Sequence, residues 1–180
     1  MDKCYLLLGK AYFYKKKYTM ANNTFRFIQR QYAEDEALMT EVSIWLFRSL
    51  TEMGRYEEAA RIMDRLDGST LKRKQREMVA AARTDFYVRQ GMYEQAIPEA
   101  ERLVRTCKSI KRKPRYNFLL SQLYVKENQD GAAKLALKKA TRFNFNYEMV
   151  IYSGGIFVEL KIKPNKILMW LSYNCLFFSI

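Results

Sequence analysis

The sequence predicts an all-α fold: a right-handed α-α superhelix of about four helical hairpins, followed by an irregular C-terminal tail. Three observations predict it. First, a turn residue, an aromatic two places on and an alanine three places further recur along the chain. They stand as Lys16-x-Tyr18-x-x-Ala21, Gly54-x-Tyr56-x-x-Ala59 and Gly91-x-Tyr93-x-x-Ala96, and Asn128-x-Asp130-x-x-Ala133 keeps the turn and the alanine. Second, Ala21 to Ala59 spans 38 residues, and Ala59 to Ala96 and Ala96 to Ala133 span 37 each. A fixed period of this length is the mark of a repeat array. Third, apolar residues flank every turn at helical spacing. Four places before it lie Tyr12, Leu50, Tyr87 and Tyr124, and eight before it Leu8, Leu46, Arg83 and Leu120. Past each alanine, four and seven places on, lie Phe25 and Ile28, Met63 and Leu66, Ala100 and Leu103, Leu137 and Ala140. Steps of three and four keep a residue on one helical face.

Each unit therefore reads as helix, tight turn, helix, with the alanine where two helices cross closely. Taken in order, helices are expected over 2–14 and 18–31, 36–53 and 56–66, 70–90 and 93–106, 113–127 and 130–143. A further helix is expected to start at Asn146. The units fall at 2–35, 40–73, 77–110 and 114–147 within a repeat domain of 1–147.

The pattern resembles the tetratricopeptide repeat, whose unit is 34 residues long. Tyr5, Leu8, Gly9, Tyr12, Tyr18, Ala21 and Phe25 fall at its consensus places. The three or four extra residues per period here amount to about one helical turn. A whole added turn keeps the apolar face in phase, so the first helices of units two and three should be the long ones. Phe47 stands where a small residue is expected, which predicts looser packing in the second hairpin. Arg83 replaces a core leucine. Pro98 lies inside a second helix and should remove one backbone hydrogen bond.

The order of the units carries a further resemblance. The stretch Asp2 to Tyr14, then Gly54-Arg55-Tyr56-Glu57-Glu58-Ala59 with Met63-Asp64-Arg65-Leu66, are two parts of it. Ala82, Asp85-Phe86-Tyr87, the run Arg115 to Tyr124, and Asn146-Tyr147-Glu148-Met149 complete it. Together they are similar to the N-terminal repeats of the large tetratricopeptide lipoprotein of gliding motility and type IX secretion (the SprE/PorW family). That resemblance implies a lipoprotein fragment with a scaffolding role, and a full-length protein on the periplasmic face of the outer membrane.

Residues 148–180 read differently. From 151 on there is no Ala, Arg, Thr or Gln, and Gly154-Gly155 would end a helix begun near Tyr147. Two readings stay open: a cap over the end of the stack, or a stretch that has left its reading frame. No signal peptide is expected, because Lys10 interrupts the Leu6-Leu7-Leu8 run too early. No transmembrane helix is expected either, since Ile167 to Ile180 falls well short of the ~20 residues that span a bilayer.

Composition narrows the chemistry. The 180 residues hold 32 Lys plus Arg against 19 Asp plus Glu, a formal charge of +13, and no histidine. Lack of histidine removes the commonest general base and metal ligand. Cys4, Cys107 and Cys175 form no C-x-x-C pair. No enzyme, cofactor or metal site is expected.

The expected function is protein binding. In such a stack the first helices line a concave face. One row along them is Lys10, Arg48, Asp85 and Gln122, and a second is Tyr14, Glu52, Arg89 and Lys126. A third, more apolar row is Leu6, Ile44, Ala81 and Phe118. From these rows the candidate partner-binding residues are Lys10, Tyr14, Arg48, Glu52, Arg89, Gln122 and Lys126, which suit a peptide or helix laid in a groove. Two basic runs, Lys72-Arg73-Lys74 with Arg76, and Lys111-Arg112-Lys113 with Arg115, lie at starts of first helices and would form a basic rim. Cations are unfavourable at helix N-termini, so the rim suits an acidic surface. The charge also admits a nucleic-acid-binding solenoid. The rows carry no repeated Asn/Asp/Thr/Ser pair able to read bases one per unit, and that reading ranks second.

Overall fold

Tight turns, not helix propensity, set the period of the chain. In the computed structural model, which describes residues 2–66 and 71–141, each of the four turn positions takes the left-handed conformation. Lys16 has φ 58°, Gly54 72°, Gly91 73° and Asn128 56°. Around each, the same two bonds close the preceding helix. Lys17, Arg55, Met92 and Gln129 donate their N–H to the carbonyls of Tyr12, Leu50, Tyr87 and Tyr124, at 2.8–2.9 Å. The turn residue itself donates to the carbonyl three before it, on Phe13, Thr51, Val88 and Val125. This is the Schellman arrangement, which satisfies carbonyls left over at a helix end. Glycine reaches this backbone freely and asparagine with little strain, whereas lysine pays a steric cost at Cβ. Lys16→Gly is expected to raise the thermal midpoint, by a stabilisation of about 1 kcal/mol; an unchanged or lower midpoint would contradict the strain at this turn.

The described residues form eight helices and no strand: α1 (Asp2–Tyr14), α2 (Tyr18–Gln31), α3 (Glu36–Glu52), α4 (Tyr56–Arg65), α5 (Arg73–Arg89), α6 (Tyr93–Thr106), α7 (Lys113–Lys126) and α8 (Asp130–Thr141). The fold is all-α, built of helical hairpins as the sequence predicts. α3 and α5, at 17 residues each, are the long first helices. α3 starts where Asp35 Oδ1 accepts the Leu38 N–H at 2.9 Å, a side-chain N-cap. α7 starts with Pro114 in its first turn, where no N–H is needed. Pro98 sits exposed in α6, which runs through it without a break. The helix expected from Asn146 and the tail 148–180 lie outside the described residues.

The chain divides into two compact units, Met1–Phe86 and Tyr87 onward, with the division inside α5. In the first unit α1 packs on α2, α2 on α3 and α3 on α4. The alanine crossings are closed here: Ala21 and Ala59 are fully buried. Gly9 lies so near α2 that a Cβ on it would come within 2.4 Å of the Phe25 ring. In α3 the same register holds Phe47, and α3 and α4 approach less closely than α1 and α2, as the larger residue predicts. Phe47 is fully buried and meets Phe86 at 5.5 Å between ring centres.

Arg83 is half-buried, and its position as a leucine replacement has a purpose. Its Nη2 donates to the carbonyls of Met63 and Leu66, both at 3.1 Å. These are last-turn and capping carbonyls of α4, where a cation also meets the negative end of the helix dipole. In the second unit α6 packs on α7 and α7 on α8. Val88, Ala96, Ile97, Ala100, Leu119, Leu120, Leu123 and Ala136 make its core. Ala96 and Ala133 are buried there as the repeat requires.

Two placements correct the sequence reading. Leu6, Ile44 and Phe118 are buried and Ala81 is half-buried, so three of the four positions of the third, apolar row are core and not groove surface. Leu8, expected in the core with Leu46 and Leu120, is 42% exposed.

Candidate functional site

In the first unit the candidate groove residues gather around a tryptophan. Lys10 and Tyr14 are four apart on α1, and Arg48 and Glu52 four apart on α3, so each pair shares a helical face. Between them lies Trp45, buried on α3. Its ring meets Phe13 edge-on at 5.3 Å and Tyr14 at 5.6 Å, and stacks against Phe25 at 6.4 Å. Aromatic pairs at these distances and angles are favourable beyond their area burial.

Two cations cover this aromatic floor. The Arg48 guanidinium carbon lies 4.3 Å from the Trp45 ring centre and 4.7 Å from that of Phe13. Lys10 Nζ lies 5.5 Å from the Trp45 ring and 2.7 Å from Glu41 Oε1. The Lys10–Glu41 pair is partly exposed and contributes at most about 1 kcal/mol. Its effect is positional: it holds the ammonium at a set place over the Trp45 ring. The indole Nε1–H of Trp45 is buried with no acceptor among the described residues. Glu52, half-buried, is engaged by a neighbour.

The candidates of the second unit are less tightly gathered. Lys126 Nζ sits 5.8 Å over the Tyr93 ring, which ties it to α6. Gln122 Oε1 is buried without a donor. Arg89 is half-buried and engaged. Nearby, the Tyr124 hydroxyl donates to Glu101 Oε1 at 2.6 Å. Burial first, and then the Glu101 carboxylate, push this phenol up to about 12, so it remains a donor throughout the neutral range.

The basic runs lie where the sequence places them. Lys72 precedes α5, and Arg73, Lys74 and Arg76 fill its first turn; all four are exposed. Lys111 is exposed, whereas Arg112, Lys113 and Arg115 at the start of α7 are half-buried. Neither first turn contains an acidic residue.

The sequence-predicted residues include the two cations but not the aromatic side chains they lie on. Trp45, Phe13 and Glu41 were not among the candidates. The signal was present: Trp45 is three residues before Arg48 and seven before Glu52, on the face that steps of three and four define. Among the described residues no three Cys, Asp or Glu side chains converge as a metal would need. Nor is any described helix long and apolar enough to cross a membrane.

Comparison with known proteins bears on the class. A tetratricopeptide repeat family model matches residues 114–147, the stretch that carries α7 and α8. With four left-handed turns and four buried alanine crossings, this match supports a tetratricopeptide repeat protein. Repeats of this class typically form scaffolds and not catalysts. A search among curated proteins finds no match.

Proposed function

We propose that the chain is a protein-interaction scaffold, and that the first helices supply the contact surface through Lys10, Tyr14, Arg48, Glu52, Arg89, Gln122 and Lys126. The observation that carries this reading is the pair of cations on the Trp45 platform. A guanidinium packed against two rings is held in place at little further entropic cost, and planar donors of that kind suit a carboxylate or a peptide carbonyl. The partner is a protein or peptide segment that brings an acidic group to Arg48 and Lys10. The exposed basic runs, above all Lys72, Lys74 and Arg76, would attract an acidic surface from a distance.

Capture on the immobilised chain tests the groove. Arg48→Glu sets an anion against the electron-rich faces of Trp45 and Phe13 and repels an acidic ligand. Bound proteins retained by the native chain should be lost from this variant by tenfold or more, while its helical circular dichroism stays native. Equal retention by both forms would mean that the partner uses another surface.

The closer likeness to the gliding-motility and type IX secretion lipoprotein gives the scaffold a setting. Its support is the order of segments from Asp2-Lys3-Cys4-Tyr5 to Asn146-Tyr147-Glu148-Met149. On this reading the repeats hold a component of that secretion machinery in the periplasm. Fractionation with an antibody to residues 2–141 tests it: signal in the outer-membrane fraction agrees, and signal confined to the cytoplasm refutes it.

A further inference from the structure

The outer face of α1 repeats, in register, a surface that the rest of the molecule keeps covered. A shift of 38 residues carries α1 onto α3. Cys4, Leu7, Leu8 and Ala11 thereby align with Val42, Trp45, Leu46 and Ser49. The α3 set is buried, with Trp45 4% and Leu46 2% exposed. In α1 all four positions are exposed, Leu7 at 64% and Leu8 at 42%. The corresponding residues of α7, Tyr116, Leu119, Leu120 and Leu123, are again buried.

What covers the internal copies is visible. Phe13 and Tyr14 of α1 and Phe25 of α2 close over Trp45, so the preceding hairpin is the cover. In the second unit α6 packs on α7 in the same order. The neighbouring helix extends the patch. Phe27, 41% exposed, stands where the other second helices carry Arg65, Arg102 and Lys139. It pairs with Tyr5 at 5.0 Å between ring centres. Tyr5 and Leu8, three apart, share one side of α1.

Charge selects the occupant further. Residues 2–31 hold seven Lys and Arg against the single acid Asp2. Lys15, Lys16 and Lys17, all exposed, follow directly on the C-terminal end of α1. A second copy meeting this face with its own would bring like charges together. Residues 36–66 hold six Asp and Glu against four Arg, and their Phe47 and Tyr56 already cover Phe86 of α5. An acidic hairpin of this repeat class is thus a cover that the molecule itself uses.

We propose that the exposed face of α1 is the receiving half of a repeat-to-repeat interface, whose occupant is a further helical hairpin of the same class with acidic residues beside its apolar stripe. Cys4, Leu7, Leu8 and Ala11 are none of the groove candidates, and the inference stands without the groove reading.

A tandem protein tests it. Residues 36–72 placed directly ahead of Asp2 in the full chain would offer the α3–α4 hairpin to α1. The readout is alkylation of Cys4 by iodoacetamide, followed at that peptide by mass spectrometry in the tandem and in the parent. The expected result is at least a tenfold slower reaction at Cys4 in the tandem, with the parent rate restored by Leu7→Glu with Leu8→Glu. Equal rates in tandem and parent overturn the proposal. So does a parent chain that sediments as a dimer, protects Cys4, and becomes a reactive monomer with the same two substitutions: the occupant would then be a second copy.

Discussion

Trp45→Ala is expected to separate the first hairpin from the second, at a cost of about 4 kcal/mol. The indole lies among Phe13, Tyr14 and Phe25, which come from both helices of the first hairpin, so one side chain joins three helices. Its removal leaves a cavity that the fixed α1 and α2 backbones cannot fill by small shifts, and a cavity adds to the lost transfer energy. Lys10 also loses its ring contact, and Arg48 keeps only that with Phe13. Amide hydrogen exchange should report the change as faster exchange through α1, α2 and the middle of α3, with α6 to α8 unaffected. Trp45→Phe is the control. It keeps most of the aromatic contact and removes the buried Nε1–H that has no acceptor, a group whose burial costs about 1–3 kcal/mol. It should come within about 1 kcal/mol of the native chain. A Trp45→Ala protein with native exchange rates in α1 would show that the ring is not the joint between the hairpins.

The sequence made the hairpins legible because their determinants are local. The turn at Gly54 needs only a residue free to take positive φ and a helix on each side. Ala59 needs only to be small. The repeat exposed both by showing them at fixed intervals. Helix ends came within a residue or two for the same reason, with α5 starting three residues later than expected at Arg73. What the pattern could not give was the depth of each position. Leu6 and Leu8 both look like core in α1. Only the stack decides that Leu6 is covered by its neighbours while Leu8 faces the side on which α3 and α7 carry a preceding hairpin. Arg83 is another such case. Read alone it is a charge on an apolar stripe; placed, it is the donor that closes α4, through carbonyls 17 and 20 residues away in the chain. The candidate site was half legible. Periodicity picked out Lys10, Tyr14, Arg48 and Glu52, since they share a helical face. It could not show that Trp45 meets Lys10, Tyr14 and Arg48, because stacking depends on the rotamers of two helices at once.

Gly9→Val is the second substitution with a large expected effect, about 3 kcal/mol of destabilisation. Two opposing terms decide the sign. A glycine inside a helix costs about 1 kcal/mol relative to alanine, so any side chain at position 9 begins with a gain in propensity. Valine recovers only part of it, because its branched Cβ is restricted in a helix. Against this stands the Phe25 ring. A Cβ at position 9 meets Phe25 Cε1 at 2.4 Å and two more ring carbons at 2.9 Å, about an ångström inside ordinary contact. The ring has little room to retreat, since Phe25 is fully buried and stacked on Trp45. The backbones of α1 and α2 must move apart, which also loosens the Ala21 crossing. Urea unfolding followed at the helical circular dichroism band should therefore show the transition of the first unit at lower denaturant. Phe25→Leu provides the internal check. The smaller side chain should be damaging alone, yet combined with Gly9→Val it should restore part of the loss, because the two residues contend for one volume. Strict additivity of the two losses would mean that Gly9 and Phe25 do not meet, and that the close approach of α1 to α2 has another cause.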